Sequence, residues 1–224
     1  DVAALHAAYL RSAKQGGAQL RNDAELHRAR YKEGCWHIEA GAENISCDLL
    51  INAAGAWADE VAARCGVART GITPLRRTVL QLATDPAPHP EMPLILGLDG
   101  SFYFKTEPGG RIWLTPHDET RSPPCDAAPD EIDVALAIHR FAAVVDWEIT
   151  KLEHKWAGLR SFAPDRLPVI GRDEANAQFF WMAGQGGFGI QTAPVSAQLA
   201  ASQIIDDIDA PAGIDPQLYA PGRF

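Results

Sequence analysis

Cysteines and long hydrophobic runs are both scarce in this sequence of 224 residues. The four cysteines lie far apart, with no C-x-x-C pair and no histidine at metal-ligand spacing: Cys35, Cys47, Cys65 and Cys125. This pattern argues against a zinc site or a disulfide framework and indicates reduced packing thiols of a cytoplasmic protein. No run of eighteen apolar residues and no secretory signal occurs, so we expect no integral membrane segment. The chain starts at Asp1 and not at a methionine, which leaves open that it is a segment of a longer protein.

The sequence also has few basic residues and no hydrolase motif. The chain has 20 Lys and Arg against 29 Asp and Glu, a formal net charge of −9. Nucleic acid and anionic membrane surfaces are therefore excluded as main partners, and any anion site must be built locally from a few arginines. The seven histidines are scattered, without an H-E-x-x-H motif or a nucleophilic triad. Hydrolase chemistry consequently has no support, and no residue is assigned as a catalytic acid or base.

The rest of the composition is that of an ordinary globular protein, 46% hydrophobic and 22% charged. Its length suits one large domain or two small ones. Segments 1–70 and 155–224 mix helical and strand patterns, whereas 71–154 is β-rich with Pro/Gly loops. The sequence therefore predicts an α/β (α+β) fold, in which an antiparallel β-rich lobe is inserted between two pieces of a partial α/β lobe.

Local patterns predict individual elements in each piece. The first piece contains a helix from Val2 to a cap at Gly16 and Gly17, a strand near 18–20, a hairpin of 26–31 and 35–40, a buried strand at 47–52 and a helix ending near Gly66. The inserted lobe contains strands at 78–82, 94–96, 101–105, 111–114 and 149–156 and a helix from Asp130 to Phe141. Before the second helix of the first piece, the small residues 53–56 form a turn that lets a ligand or a neighbouring chain approach the backbone.

A glycine-rich turn follows the last predicted strand, 179–183. Gly184, Gly186 and Gly189 fit G-x-G-x-x-G, and a helix comes next. The usual second strand of a dinucleotide site is missing, because only Pro- and Gly-containing loop residues follow the helix. What is left is a helix N-terminus that suits an electron-rich group such as the edge of a reduced flavin. The alternative is a turn that serves only close strand–helix packing.

Arg160 stands in a strand-like apolar stretch, 156–162. Burying a lone charge costs several kcal/mol, so this arginine must be paired or must bind an anion such as a carboxylate. The alternative is a structural salt bridge to Asp165 or Glu153.

Arg76 and Arg77 precede the strand 78–82, and Tyr103 lies between two phenylalanines. Adjacent strand residues face opposite sides, so one arginine can point inward while the other meets solvent. The alternative is surface charge for both. Tyr103 can donate to a ligand carboxylate, or it can lie at a seam between lobes.

Residues 156–162, 185–192 and 94–103 resemble the bacterial D-arginine dehydrogenase type. Three segments together resemble the wider FAD-dependent D-amino-acid oxidase superfamily, which includes glycine and sarcosine oxidases. They are Asn52 to Trp57, Gly158-Leu159-Arg160 with 168–171, and Ala183 to Thr192. The resemblance extends over nearly the whole chain and covers the C-terminal part of the family's length. The family's N-terminal G-x-G-x-x-G is absent, so these residues alone are not expected to hold FAD well.

The resemblance implies roles for individual residues. Arg160 grips the substrate carboxylate, assisted by Arg77 and Tyr103, while Leu94 and Leu96 line the side-chain pocket. Gly187 and Ile190 border both flavin and substrate. The implied cofactor contacts are Leu26, Ala54, Gly55, Gly186, Gly187, Phe188, Gly189, Ile190 and Gln191.

The implied reaction is oxidation of a D-amino acid, a small-molecule substrate, to an imino acid and then a keto acid. On this interpretation 1–70 and 155–224 form the FAD-binding lobe, and 71–154 is the substrate-binding lobe. The alternatives are a related flavoenzyme acting on secondary amines, glycine or glycerol phosphate, or a non-catalytic domain that keeps the fold for partner binding.

Overall fold

The computed structural model describes all residues from Asp1 to Phe224. They form two compact units, Asp1–Ile72 with Ala163–Phe224, and Thr73–Phe162. The α-helices are α1 (Val2–Gln15), α2 (Ala58–Arg64), α3 (Glu131–Ala142) and α4 (Gly189–Ser202). The strands are β1 (Leu26–Lys32), β2 (Cys35–Ala40), β3 (Glu43–Cys47), β4 (Leu50–Asn52), β5 (Thr73–Asp85), β6 (Ile95–Leu96), β7 (Tyr103–Glu107), β8 (Arg111–Thr115), β9 (Thr120–Arg121), β10 (Glu148–Phe162), β11 (Val169–Arg172) and β12 (Phe179–Ala183). Short 3₁₀ turns occupy Gly55–Trp57, Pro216–Tyr219 and Pro221–Arg223.

The first unit contains two three-stranded sheets. One is the antiparallel sheet β1-β2-β3; the other has the order β11-β12-β4, with β12 antiparallel to β11 and parallel to β4. Trp36 of the first sheet and Phe179 and Trp181 of the second are fully buried in one core. The indole N–H of Trp36 donates to the carbonyl of Gln178 at 2.7 Å, so this large side chain is buried without an unsatisfied donor.

The second unit is a six-stranded antiparallel sheet with the order β10-β5-β8-β7-β6, and β9 also pairs with β5. The helix α3 packs on one face through Val134, Ala137 and Phe141, against a cluster that includes Leu80 and Leu114. Because strand side chains alternate, the neighbours of these sheet residues lie on the other face. That second face carries Arg77, Tyr103 and Arg160, and we name it the arginine face.

The predicted fold class is confirmed, as are most of the predicted elements. The strand predicted near 18–20 is wrong: no strand includes these residues, and the Ala18 N–H donates back to the Ala13 carbonyl at 3.0 Å just after the end of α1. The single strand predicted at 47–52 is two strands. It divides because β3 pairs with β2, whereas β4 pairs with β12.

The units change at residues 72/73 and 162/163, whereas the sequence predicted changes at 70/71 and 154/155. The second position differs because the pairing of β10 with β5 continues beyond residue 154, as far as Phe162 opposite Thr73. None of the helices has both the length and the apolar composition that crossing a bilayer requires.

Candidate active site

The glycine turn of the first unit joins β12 to α4. Gly184 and Gly186 have φ of +74° and +56°, a region that disfavours side chains. A Cβ on Gly184 would make only ordinary contact, 3.4 Å from Ile72, whereas a Cβ on Gly189 would lie 3.0 Å from the Cβ of Gln185, so close packing favours glycine at 189. Both proposed uses of the turn, packing and ligand approach, are therefore compatible with its geometry.

The N-terminus of α4 is left without a cap. Phe188 at the N-cap position makes no side-chain capping bond, and the first turn contains no acidic residue. The first helical N–H groups and the partial positive charge of the helix are thus available to an electron-rich group. Phe188 and Ile190 beside them are 68% and 58% exposed, and Gln191 is also exposed.

A second turn emerges at the same edge of this sheet. Since β4 and β12 run parallel, the turn after Asn52 and the turn after Ala183 both follow the carboxyl ends of neighbouring strands, where ligands bind in open α/β sheets. Buried Asn52 holds the β4 turn by donating to the Ala58 carbonyl at 2.8 Å and accepting from the Ala54 N–H at 3.3 Å. A Cβ on Gly55 would meet no atom within 4 Å.

The structure thus brings the predicted cofactor contacts Ala54 and Gly55 to one sheet edge with residues 186–191. Leu26 is placed elsewhere, at the start of β1 opposite Ala40. Its carbonyl accepts a hydrogen bond from Arg64, and the role predicted for Leu26 stays a prediction.

In the second unit, Arg77 is a buried cation, 4% exposed. Its Nε donates to the Asp118 carbonyl at 2.7 Å and its Nη2 to Glu119 Oε1 at 3.2 Å, while its Nη1 has no hydrogen-bond partner. Burial first, and then the nearby positive charge of Arg160, lower the pKa of the Arg77 guanidinium. An anion beside the two arginines would favour their charged forms and so oppose this lowering of the pKa.

Arg160 is half-buried on the same face. Its Nη2 donates to the Tyr103 hydroxyl at 3.1 Å. The two carboxylates considered as structural partners are held by other arginines: Glu153 by Arg111 and Asp165 by Arg223. Within the second unit no carboxylate forms an ion pair with Arg160, so the salt-bridge alternative is not what the structure contains.

The register of β5 and β10 sets the spacing of the two arginines. Arg77 lies opposite Gly158, and Arg160 lies opposite Leu75. The arginines are therefore diagonal neighbours on the arginine face, within reach of long side chains. Arg76 occupies the other face, with its Nη2 2.7 Å from Asp133 of α3, so neither arginine is a free surface charge.

The leucines predicted to line the side-chain pocket lie at the edge of the arginine face. Leu96 pairs with Tyr103 across β6 and β7, and Leu94 precedes the same short strand by one residue. They are 57% and 53% exposed. The structure brings Leu96 beside the Tyr103–Arg160 pair, which is the arrangement that a carboxylate with an attached side chain requires.

Sequence reasoning did not single out Asp118 or His117. The Asp118 carboxylate accepts from the Thr78 N–H at 2.8 Å and the Thr78 hydroxyl at 3.0 Å, so it fixes the strand residue next to Arg77. His117 packs edge-on against Tyr103, with ring centroids 5.5 Å apart. Only the fold reveals these contacts, because they join a loop to strands up to 40 residues away in sequence.

These features fit the FAD group that the resemblance implies. The uncapped start of α4 suits the anionic edge of a reduced ring, and the open space at Gly55 leaves room for a ligand beside the neighbouring turn. The arginine face suits the acid group of a substrate.

Comparison with known proteins shows a match over most of the chain. Residues 1–203 match the family described as DAO, FAD dependent oxidoreductase. The tRNA 5-methylaminomethyl-2-thiouridine biosynthesis bifunctional protein MnmC of Maricaulis maris is 31% identical over 216 residues, 92% of this chain and 33% of that protein.

Solved structures show the same fold at low sequence identity. Glycine oxidase from Geobacillus kaustophilus has a TM-score of 0.78 at 21% identity, covering 95% of this chain and 55% of its own. L-proline dehydrogenase from P. horikoshii has a TM-score of 0.79 at 23% identity, covering 95% and 56%. The chain spans between 33% and 56% of the length of these three proteins.

Proposed function

This chain belongs to the DAO family of FAD-dependent oxidoreductases, and from that premise we propose that it supplies substrate-holding and flavin-edge residues of an enzyme oxidising the CH–NH₂ group of D-amino acids. The units are assigned accordingly. The first, with the two turns at the β4–β12 edge, contributes to FAD binding, and the second, with the arginine face, contributes to substrate binding. Further FAD-binding residues are required, since the family's N-terminal fingerprint is absent from this sequence.

The observation that supports the proposal most directly is the environment of Arg160, a half-buried cation without a carboxylate partner in its unit. A half-buried guanidinium bonded to a tyrosine hydroxyl, without an ion-pair partner in its unit and beside a second buried arginine, is costly as a purely structural arrangement. A bound carboxylate would offset that cost with charge-assisted hydrogen bonds. The substrate class that follows is an amino acid and not a simple amine.

The residues of this chain act by binding and orientation. Arg160, with Tyr103, holds the carboxylate, and Arg77 adds a second positive charge at the same face. Fixing the acid group at two or three points orients the Cα–H bond towards the hydride acceptor. Such orientation is how binding residues accelerate a reaction. FAD, when bound, supplies the hydride acceptor, so the amino acid becomes an imino acid that hydrolyses to a keto acid and ammonia. The start of α4 favours negative charge at the ring edge.

A spectroscopic experiment tests this proposal. The complete protein is expected to be yellow from FAD and to bleach anaerobically when D-amino acids are added. The panel should include the L-enantiomers, glycine, sarcosine and glycerol 3-phosphate. Failure of every D-amino acid to bleach a flavin that dithionite does reduce would contradict the proposal.

Two other outcomes of that panel have distinct meanings. Bleaching by sarcosine, glycine or glycerol 3-phosphate alone would support a related flavoenzyme with a different substrate. A complete protein that neither binds FAD nor responds to any substrate would support a non-catalytic domain that retains the fold for partner binding.

A further inference from the structure

Gly158 lies in the interior of the 15-residue strand β10. A glycine in a strand interior weakens the strand, because it loses more conformational freedom and packs no side chain. Such a residue usually marks a bulge, a special backbone conformation, or a place where a ligand or another backbone comes close.

Neither the backbone nor local packing requires a glycine at this position. The pairing of β10 with β5 is regular from Trp156 to Arg160, and the register shifts occur only between 149 and 154. Gly158 is not among the residues with positive φ. A Cβ built on it would have no heavy atom within 4 Å. Gly158 is exposed, so the space that its side chain would fill is open to a ligand.

The position of Gly158 indicates what uses that space. It lies directly opposite Arg77 in the register and two residues before Arg160, so the missing side chain belongs to the arginine face. Side chains directly opposite in a sheet have Cβ atoms only about 5 Å apart. The buried Nη1 of Arg77 has no hydrogen-bond partner. The open space beside Gly158 thus lies on the same sheet face as the guanidinium groups of Arg77 and Arg160.

We propose that Gly158 is a specificity-determining residue, whose missing side chain leaves room for the carboxylate of the substrate between Arg77 and Arg160. The inference rests on the proposed function. It adds which residue sets the space available to the substrate carboxylate, a space that we call the acid subsite. A methyl group at position 158 would occupy the space that the carboxylate oxygens need, without touching any atom of the folded chain. The substitution should therefore damage ligand binding while sparing the fold, the reverse of an ordinary strand mutation.

The test uses Gly158→Ala and Gly158→Val in the complete protein. One extra methylene in a pocket changes discrimination by about 10- to 200-fold, so we expect KM for the best amino acid to rise at least about 10-fold in Gly158→Ala. KM should rise further in Gly158→Val, while flavin content stays at the wild-type value and Tm does not fall, since glycine is the weaker strand residue. Lys151→Ala, an exposed change on the same strand, is the control and should leave KM unchanged.

A second measurement does not depend on turnover. Propionate, a carboxylate without an amine, should raise the Tm of the wild-type protein by binding the folded state, and Gly158→Ala should reduce that shift. If no amino acid bleaches wild-type flavin, the proposed function fails, but the propionate shift still tests the subsite.

Two results would overturn the inference. Wild-type KM and an unchanged propionate shift in Gly158→Ala would show that the gap is not used by a carboxylate. A fall in Tm or flavin content in that variant would assign the glycine to close approach of a backbone or of the flavin, whatever the KM.

Discussion

At the scale of single residues, neighbouring arginines have different environments because strand side chains alternate. Arg76 faces α3 and is held by Asp133, while Arg77 faces the other way and is 4% exposed. The sequence predicted that two adjacent arginines would face opposite sides, and this is confirmed. Surface charge was the alternative for both, and it is wrong for both, because Asp133 pairs with Arg76 and the loop containing Asp118 and Glu119 covers the guanidinium of Arg77.

Arg160→Ala should weaken transition-state binding of an amino-acid substrate by roughly 2–5 kcal/mol, the usual loss when one partner of a buried charge pair is removed. Tyr103→Phe removes one hydrogen bond, so its loss should be about 0.5–1.5 kcal/mol. The measurement is kcat/KM for both variants, with exposed Arg69→Ala as control. Wild-type kinetics in Arg160→Ala would reassign this arginine to a structural role.

Asp118→Ala should lower the free energy of unfolding by about 1–3 kcal/mol, because the N–H and hydroxyl of Thr78 both lose their acceptor in a buried setting. Urea unfolding gives the value, and Asp146→Ala, an exposed position in the same unit, serves as control. KM should rise too, since the displaced loop also holds Arg77. An unchanged unfolding midpoint would mean that water replaces the carboxylate without cost.

At the scale of elements, α4 begins without a capping side chain and without an acidic residue in its first turn. Most helices satisfy their first N–H groups with a capping side chain or accept an acidic residue in the first turn. α1 and α3 of this chain do so through Asp1 and Asp130, but α4 has neither feature. The omission costs stability, and it leaves positive potential where the flavin edge is proposed to lie.

Gln191→Glu tests that trade-off. A carboxylate in the first turn should stabilise the flavin-free protein by about 0.3–1 kcal/mol. The same charge should disfavour an anionic reduced ring, so the reduction potential of bound flavin should fall. Thermal unfolding and spectroelectrochemistry give the two values, and Ala197→Glu, exposed in the middle of the helix, is the control. A lower potential in the control but not in Gln191→Glu would place the flavin elsewhere.

At the scale of the whole molecule, ion pairs distant in sequence contribute to stability in a pH-dependent way. Arg223 donates to both carboxylate oxygens of Asp165 within the first unit, at 2.7 and 3.0 Å. This contact lowers the pKa of Asp165. A lowered folded-state pKa means that the pair stabilises the chain above the unfolded pKa of about 3.9, and that this contribution is lost as pH falls through the folded value.

Asp165→Asn should therefore destabilise the protein at pH 7 and have progressively less effect below about pH 3.9. The loss at neutral pH should be under about 1 kcal/mol, because the Asp165 side chain is 37% exposed and the charge is screened. Urea unfolding at several pH values measures it. Asp206→Asn, an exposed change in the same unit, should show no such pH dependence. Equal destabilisation by Asp165→Asn at pH 7 and below about pH 3.9 would contradict a stabilising pair between Asp165 and Arg223.

Predictions from sequence succeeded where the deciding interactions are local. The helix predicted from Asp130 to Phe141 and found at Glu131–Ala142, the hairpin of β1 and β2, and the glycine turn before α4 all follow from periodicity and turn chemistry. The strand predicted near 18–20 failed because Ala18 donates back to Ala13. Residue 162, and not 154, ends the inserted unit because pairing with β5 is a long-range contact.

The sequence alone determined the family resemblance, the α/β architecture with its β-rich insertion, and the arginine and tyrosine suited to a carboxylate, because residue types and local spacing carry that information. Only the tertiary structure decided that Arg77 is buried by the Asp118 loop and that Arg111 and Arg223 occupy the carboxylates considered for Arg160. It also placed Gly158 opposite Arg77 on the arginine face. The physical reason is that strand register and ion-pair partners depend on segments tens of residues apart, whose distances no local pattern encodes.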